Sequence, residues 1–302
     1  MYTGTGTAED PYMVTTLADL YTCAAIEGAH VCIADDISAS SEEAYAAGTD
    51  SPLAIACAHL YGADGGRRVT GLVVGGDAQN LIVHSGAGTT EMELIDFVDC
   101  VFTRPAVNAA QAVDLLLRGM TIRDCNFSYA VRQADVLGAS VLIGGDLTSC
   151  TVYVKGTTPR DRLSGGQQTL LFYPDSAHGC NFEAHGLHAY STPGALPMIA
   201  NATKCLFLIE DLKLYHSTIG GPYIASDCDT CAFAISQQKM DSITQQTGAG
   251  FDNMTGVNII DAEFWESIET GGFTLIDSGN VYRLSTQQMK SAAYLTEIGF
   301  LP

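Results

Sequence analysis

Phe97-Val98-Asp99-Cys100-Val101-Phe102, Ile122-Arg123-Asp124-Cys125-Asn126-Phe127, Leu147-Thr148-Ser149-Cys150-Thr151-Val152, Ala177-His178-Gly179-Cys180-Asn181-Phe182, Ala202-Thr203-Lys204-Cys205-Leu206-Phe207 and Cys228-Asp229-Thr230-Cys231-Ala232-Phe233 are six versions of one phrase. Each has an apolar residue, two mostly polar residues, Cys, any residue, then an aromatic or Val. The cysteines follow one another at steps of 25, 25, 30, 25 and 26 residues. Self-similarity at this period marks a repeat array, in which one unit cannot bury its apolar face alone and stacked neighbours supply the core. Read as a strand, the phrase sends Cys and the aromatic two places on to the same side. The expected core ladder is therefore Cys100, Cys125, Cys150, Cys180, Cys205 and Cys231 with Phe102, Phe127, Phe182, Phe207 and Phe233.

Around the phrase, each period carries two further apolar runs. One precedes the cysteine, as at Val141-Leu142-Ile143, Leu170-Leu171-Phe172 and Met198-Ile199-Ala200. Another follows it, as at Leu187-His188-Ala189-Tyr190 and Leu212-Lys213-Leu214-Tyr215. Three strands per turn of about 25 residues predict an all-β fold, a single-stranded right-handed parallel β-helix of about ten turns, stacked about 4.8 Å apart. Short capping helices are expected at both ends. Thr16 can cap a helix through Asp19, Leu20 and Cys23. Ser285 and Gln288 make a capping-box pattern for a helix through about Ile298, with Gly299 as its stop. The chain divides accordingly into an N-terminal cap (1–40), the solenoid (41–284) and a C-terminal capping helix (285–302).

Composition narrows the partners. The 302 residues hold 14 Lys and Arg against 34 Asp and Glu, a formal charge of −20. Such a surface repels phosphate backbones and anionic lipid, which disfavours nucleic acid, and none is expected as a partner. No apolar run reaches the roughly 18 to 20 residues that span a bilayer, so membrane insertion is not expected. The opening residues show no secretory signal peptide. Ten cysteines could suggest crosslinks, but at equivalent points of successive turns they read as small buried hydrophobes in the reduced state.

The opening Gly4-Thr5-Gly6-Thr7, Asp10-Pro11-Tyr12-Met13-Val14, Thr16, Asp19-Leu20 and Asp36-Ile37 resembles the start of bacterial surface and phage-encoded right-handed β-helix proteins related to GLUG-repeat adhesins. A weaker echo lies in Leu284-Ser285, Gln288-Met289-Lys290, Tyr294-Leu295 and Ile298-Gly299-Phe300. The resemblance implies a pectate-lyase-like β-helix acting outside the cell, on a cell surface or on a virion. It brings no catalytic residues with it.

The candidates for chemistry each have a plainer account. Cys228-x-x-Cys231 has metal-ligand spacing, but a zinc site needs two more ligands and no second pair exists. Both positions fit the repeat columns. His178, His185 and His188 do not converge on one strand face, because residues three apart point to opposite sides. No metal and no cofactor are expected. Glycan cleavage asks for two carboxylates about 5 to 9 Å apart. Asp99 and Asp124, one turn apart, are such a pair, and Asp227 and Asp229 with Glu210 and Asp211 form another acidic neighbourhood. Asp is also common in turns for backbone reasons. The long step holds the insertion Lys155 to Gln168, where Lys155, Arg160 and Arg162 concentrate scarce positive charge on a loop, the usual place for binding. Tyr153, Tyr190 and Tyr215 could stack on sugar rings. The reading expected from these residues is a non-enzymatic attachment or structural module of a bacterial surface or phage particle, binding glycan or neighbouring subunits on a lateral face. Self-association as a trimer fits by analogy with phage fibres. The rival reading is a glycan-depolymerising hydrolase or lyase.

Overall fold

The computed structural model describes residues 1–39, 53–71, 73–74, 82–84, 90–103, 112–113, 117, 119–132, 139–156, 170–186, 188–191, 197–216, 224–241, 246–247, 251–270, 273–274 and 280–302. It is a parallel β-solenoid. One ladder runs through Tyr12–Val14, His30–Ile33, His59–Gly62, Thr90–Glu93, Met120–Arg123, Asp146–Thr148, Ser176–His178, Ile199–Thr203, Ala225–Asp229 and Phe251–Asp252. A second runs through Ile37–Ser38, Arg67–Thr70, Ile95–Thr103, Asn126–Arg132, Thr151–Gly156, Asn181–His185, Leu206–His216, Ala232–Asp241, Asn258–Asp261 and Val281–Leu284. Ala112–Val113, Ala139–Ile143 and Leu170–Tyr173 form a third run that joins the first ladder at Ile199. Each strand pairs in parallel with its equivalent on the next turn, as Thr121, Ile122 and Arg123 do with Asp146, Leu147 and Thr148.

The repeated phrase is not one strand. It is the end of a first-ladder strand, a corner, and the start of a second-ladder strand, with the cysteine at the corner. The residue before each cysteine lies in the left-handed region: Asp124 at φ 50°, Ser149 at 53°, Gly179 at 63°, Lys204 at 54° and Thr230 at 55°. One such residue turns the chain sharply without ending the ladder. Its amide still donates to the carbonyl of the turn above: Asp124 to Thr148 at 3.1 Å, Ser149 to His178 at 3.0 Å, Gly179 to Thr203 at 2.9 Å and Lys204 to Asp229 at 2.8 Å. For an L-residue this conformation costs roughly 1–2 kcal/mol, and Gly, Asp and Asn bear it best. That accounts for Asp124 and Gly179 at the position.

The first phrase needs a second correction. Phe97 pairs with Phe127, and Leu94, at φ 57°, donates its amide to Arg123. Leu94-Ile95-Asp96-Phe97 is therefore the structural equivalent of Asp124-Cys125-Asn126-Phe127, with Ile95 in the cysteine place. Cys100 instead pairs with Tyr129 and Phe102 with Val131, past an irregularity in the ladder between Phe97 and Cys100. The side chains of Cys100 and Phe102 lie outside the described residues.

From Cys125 onward the column holds thiols. Cys125, Cys150, Cys180, Cys205 and Cys231 are buried and unpaired by disulfides. Thiols donate to backbone carbonyls, as Cys150 Sγ does to Thr148 at 3.3 Å and Cys231 Sγ to Ala202 at 3.3 Å. Two places on, the rings file behind them. Phe97 stacks on Phe127 at 5.6 Å and Phe207 on Phe233 at 5.0 Å. Phe172 wedges edge-on between Phe182 and Phe207, and Val152 takes the place between Phe127 and Phe182. Each fully buried ring contributes on the order of 1.5–3 kcal/mol.

Four helices complete the described chain. Leu17–Ala24 is capped by Thr16, whose hydroxyl accepts from the Asp19 amide at 3.2 Å, and it packs against Tyr12–Val14, His30–Ile33 and Leu53–Ile55. The expected single C-terminal helix is two, Thr286–Met289 and Ala292–Glu297. The Ser285–Gln288 capping box opens the first, and Ser291 recaps the chain by accepting from the Tyr294 amide at 3.3 Å. Ala262–Thr270 was not anticipated from sequence. Asp261 Oδ1 accepts from the Glu263 and Phe264 amides, each at 3.0 Å, and Phe264 and Trp265 are buried.

Candidate functional site

Strand periodicity sets the outer face of the second ladder. With Phe127 and Phe182 inward, their neighbours on both sides point out, and the register stacks these into columns. Arg68, Asp96, Asn126, Thr151 and Asn181 share one column. Leu206 continues it with 41% of its surface exposed. Ala232, next in register, is buried against Leu284, Leu295 and their neighbours. A second column holds Ser128, Tyr153, Glu183 and Leu208, and a third holds Lys155, His185 and Glu210.

At one end of the first column is an open groove of about 340 Å³, lined among others by Asp36, Arg67, Arg68, Asp96, Asp124 and Asn126. Asp36 Oδ1 accepts from the Arg68 amide at 2.9 Å. The Arg68 guanidinium lies 3.4 Å from Asp96 Oδ2, and both groups keep contact with water. Arg67 is tied down separately, to the Ala34 carbonyl at 2.8 Å and to Asp64 at 2.9 Å. Of the carboxylates singled out by sequence, Asp124 opens on this groove. Asp99 does not share its position: its backbone lies past the corner within Ile95–Thr103, and its side chain is outside the described residues. Asp96 is the acidic neighbour that sequence reasoning missed, because the cysteine rather than the phenylalanine was used to align the first turn.

Asp227 and Asp229 sit elsewhere, on the strand Ala225–Asp229. Asp227 has φ 55°, as do its register equivalents Asn201 (56°) and Asn253 (48°) within a few degrees. Its carboxylate accepts from Ser226 Oγ at 2.7 Å and from the Asn253 amide group. Asp229 accepts from Thr230 Oγ1 at 2.8 Å. Both are engaged in holding corners.

Midway along the face, His185 bridges two turns. Its Nε2 is 2.9 Å from Glu183 Oε1 and its Nδ1 is 2.9 Å from Glu210 Oε2. The Tyr153 ring packs against it with centroids 5.4 Å apart. The sequence signal for this clamp was Glu183-x-His185 with Glu210 one period further on. Lys155 is exposed and in register with His185. Arg160 and Arg162 lie outside the described residues. Tyr190 and Tyr215 pair on adjacent strands, and their side chains are outside the described residues.

A second groove, of about 400 Å³, lies between this face and the helix Ala262–Thr270, lined by Glu210, Ser236, Asp261 and Glu263 among others. On the first ladder, His59 stacks with Tyr61 at 4.6 Å and reaches Glu93 Oε2 at 3.7 Å, while Arg123 lies 3.3 Å from Glu91 and 3.6 Å from Glu93. Burial holds the His59 imidazole below its ordinary pKa, against the opposing pull of Glu91 and Glu93. Among the described residues, no three His, Cys, Asp or Glu side chains gather as a metal would require, and no helix is long and apolar enough to cross a membrane. No protein-family model matches the chain, and the search of curated proteins finds no relative.

Proposed function

We propose that this solenoid is a non-enzymatic attachment module that binds glycan on the outer face of the second ladder. In this reading it is a right-handed β-helix of about ten turns with helical caps, similar to pectate-lyase-like and GLUG-type surface proteins, carried on a bacterial surface or phage particle. The observation that supports it is the open groove of Asp36, Arg68, Asp96, Asp124 and Asn126. Carboxylates accept hydrogen bonds from sugar hydroxyls, and the amide and guanidinium donate to ring and hydroxyl oxygens. A regular parallel ladder holds these groups on rigid backbone, which lowers the ordering cost of weak polar contacts.

Exposure of the carboxylates supports binding over cleavage. A general acid is kept protonated at neutral pH by an apolar, water-poor pocket. Among the described residues no Asp or Glu is buried. The rival reading, a depolymerising enzyme, draws on the same groove, because Asp96, Asp124 and Arg68 stand together there. Incubation with a polysaccharide panel separates the two. The proposal expects retention of glycan without release of new reducing ends or unsaturated products. Release that is abolished by Asp124→Asn would replace it with the enzymatic reading.

A further inference from the structure

We infer that the ligand is a neutral, hydroxyl-rich polysaccharide and that Tyr153 is the platform on which one of its sugar rings stacks. This rests on the glycan-binding reading and gives it a ligand class and a second contact, outside the groove. Tyr153 is half-buried on the outer face. Its register neighbours are Ser128 on one turn and Glu183 on the other, and Thr151 lies two residues before it on the same side. Asn126 and Asn181 are diagonal to it, within reach of a sugar lying across the ring. An aromatic face ringed by amide, hydroxyl and carboxylate groups offers both halves of sugar recognition. The ring takes the C–H face, and the polar groups take the hydroxyls at its edge.

The platform is also held still. His185 packs against the ring at 5.4 Å, and its two nitrogens lie 2.9 Å from Glu183 and from Glu210 of the next turn; a neutral imidazole donates to one of these carboxylates and an imidazolium to both. A ring fixed before binding loses little freedom when a ligand arrives. The column of Asp96, Asn126, Thr151 and Asn181 runs from the groove past this ring at the rung spacing of about 4.8 Å. An extended chain of sugars lying along the axis would meet one polar residue per turn.

Charge decides the class. The face carries Asp36, Asp96, Asp124, Glu183 and Glu210, and the Arg68 guanidinium that faces them is engaged with Asp96, while His185 lies against both glutamates. Lys155 alone adds a further positive charge among the described residues of these columns. A polyuronate would bring its carboxylates within a Debye length of this array, and the whole chain stands at −20. A neutral chain suffers no such repulsion.

Native affinity electrophoresis of the intact protein tests this, in gels containing dextran, mannan, xylan or mixed-linkage β-glucan on one side and polygalacturonate or alginate on the other. Retardation is expected in at least one neutral gel and in neither acidic gel. Tyr153→Ala should weaken that retardation at least tenfold, while Tyr153→Phe keeps most of it. Circular dichroism confirms that both variants remain folded. Retention by polyuronate alone, or neutral binding that Tyr153→Ala leaves unchanged, would overturn this inference and leave the glycan-binding reading standing. Retention in none of the six gels would overturn both.

Discussion

Gly179 has φ 63°, and no atom lies within 4 Å of where a β-carbon would sit. The site therefore isolates the conformational cost of the corner from any steric one. Gly179→Ala is expected to lower stability by about 1 kcal/mol, and Gly179→Asn by clearly less, since Asn tolerates the left-handed region. Urea titration of the three proteins checks this ranking. Equal stabilities would mean that the corner relaxes out of the left-handed region once a side chain is added. The same geometry explains why Asp124 read as a catalytic candidate: turn positions of this kind select Asp for the backbone before any chemistry is asked of it.

At the level of the element, the file of thiols makes its own prediction. Burial pushes the Cys57 and Cys125 thiols up to about 12. Cys150 and Cys205 are raised as well, first by their hydrogen bonds to the Cys180 thiol and then by burial. Alkylation needs access as well as thiolate, and the nine cysteines whose side chains are described are all buried, so iodoacetamide at pH 8 should label none of these nine in the folded protein and all of them after unfolding. Peptide mapping by mass spectrometry reads this out, and a native label on Cys125 or Cys150 would contradict the buried file. The period, and most of the residues lining the core, were legible in the chain itself because every turn repeats the same demand: a small buried group at the corner and a large one two places on. Where alignment misled was the first turn. There Ile95 meets the corner's demand as well as a thiol does, and Cys100 copies the phrase by chance five residues late. The helix Ala262–Thr270 was missed for a related reason. The signal that decides the matter is a single Asp261 oxygen accepting two amides, and no repeat of the period points to it.

Across the whole molecule, stability should respond to acid through the first ladder's outer face. His59 has a folded-state pKa below its ordinary 6.5 because burial penalises the imidazolium. Between that lowered value and 6.5 the unfolded chain binds more protons than the folded one, so stability is complete above about 6.5 and declines as pH falls through this window. Calorimetry from pH 7.5 to pH 5 should show Tm falling, and His59→Gln should flatten that part of the curve. A parallel fall in the variant would assign the effect to the carboxylates instead. The candidate site itself was only half legible. Asp124, Lys155 and Tyr153 could be picked out one at a time, but the groove with Asp96 and the two-turn clamp on His185 exist only once register is known, since their members are 28 and 25 residues apart.

The long step in the repeat gains meaning from that same register. Leu147 faces Ala177 and Thr151 faces Asn181 across 30 residues, yet Val131 faces Gly156 across 25. Five additional residues between Gly156 and Leu170 thus leave the pitch of the coil untouched on either side. Growth at this step leaves the height of the coil alone. A foreign peptide spliced between those two residues should therefore hang from the shaft as a side arm, with every rung above and below keeping its place.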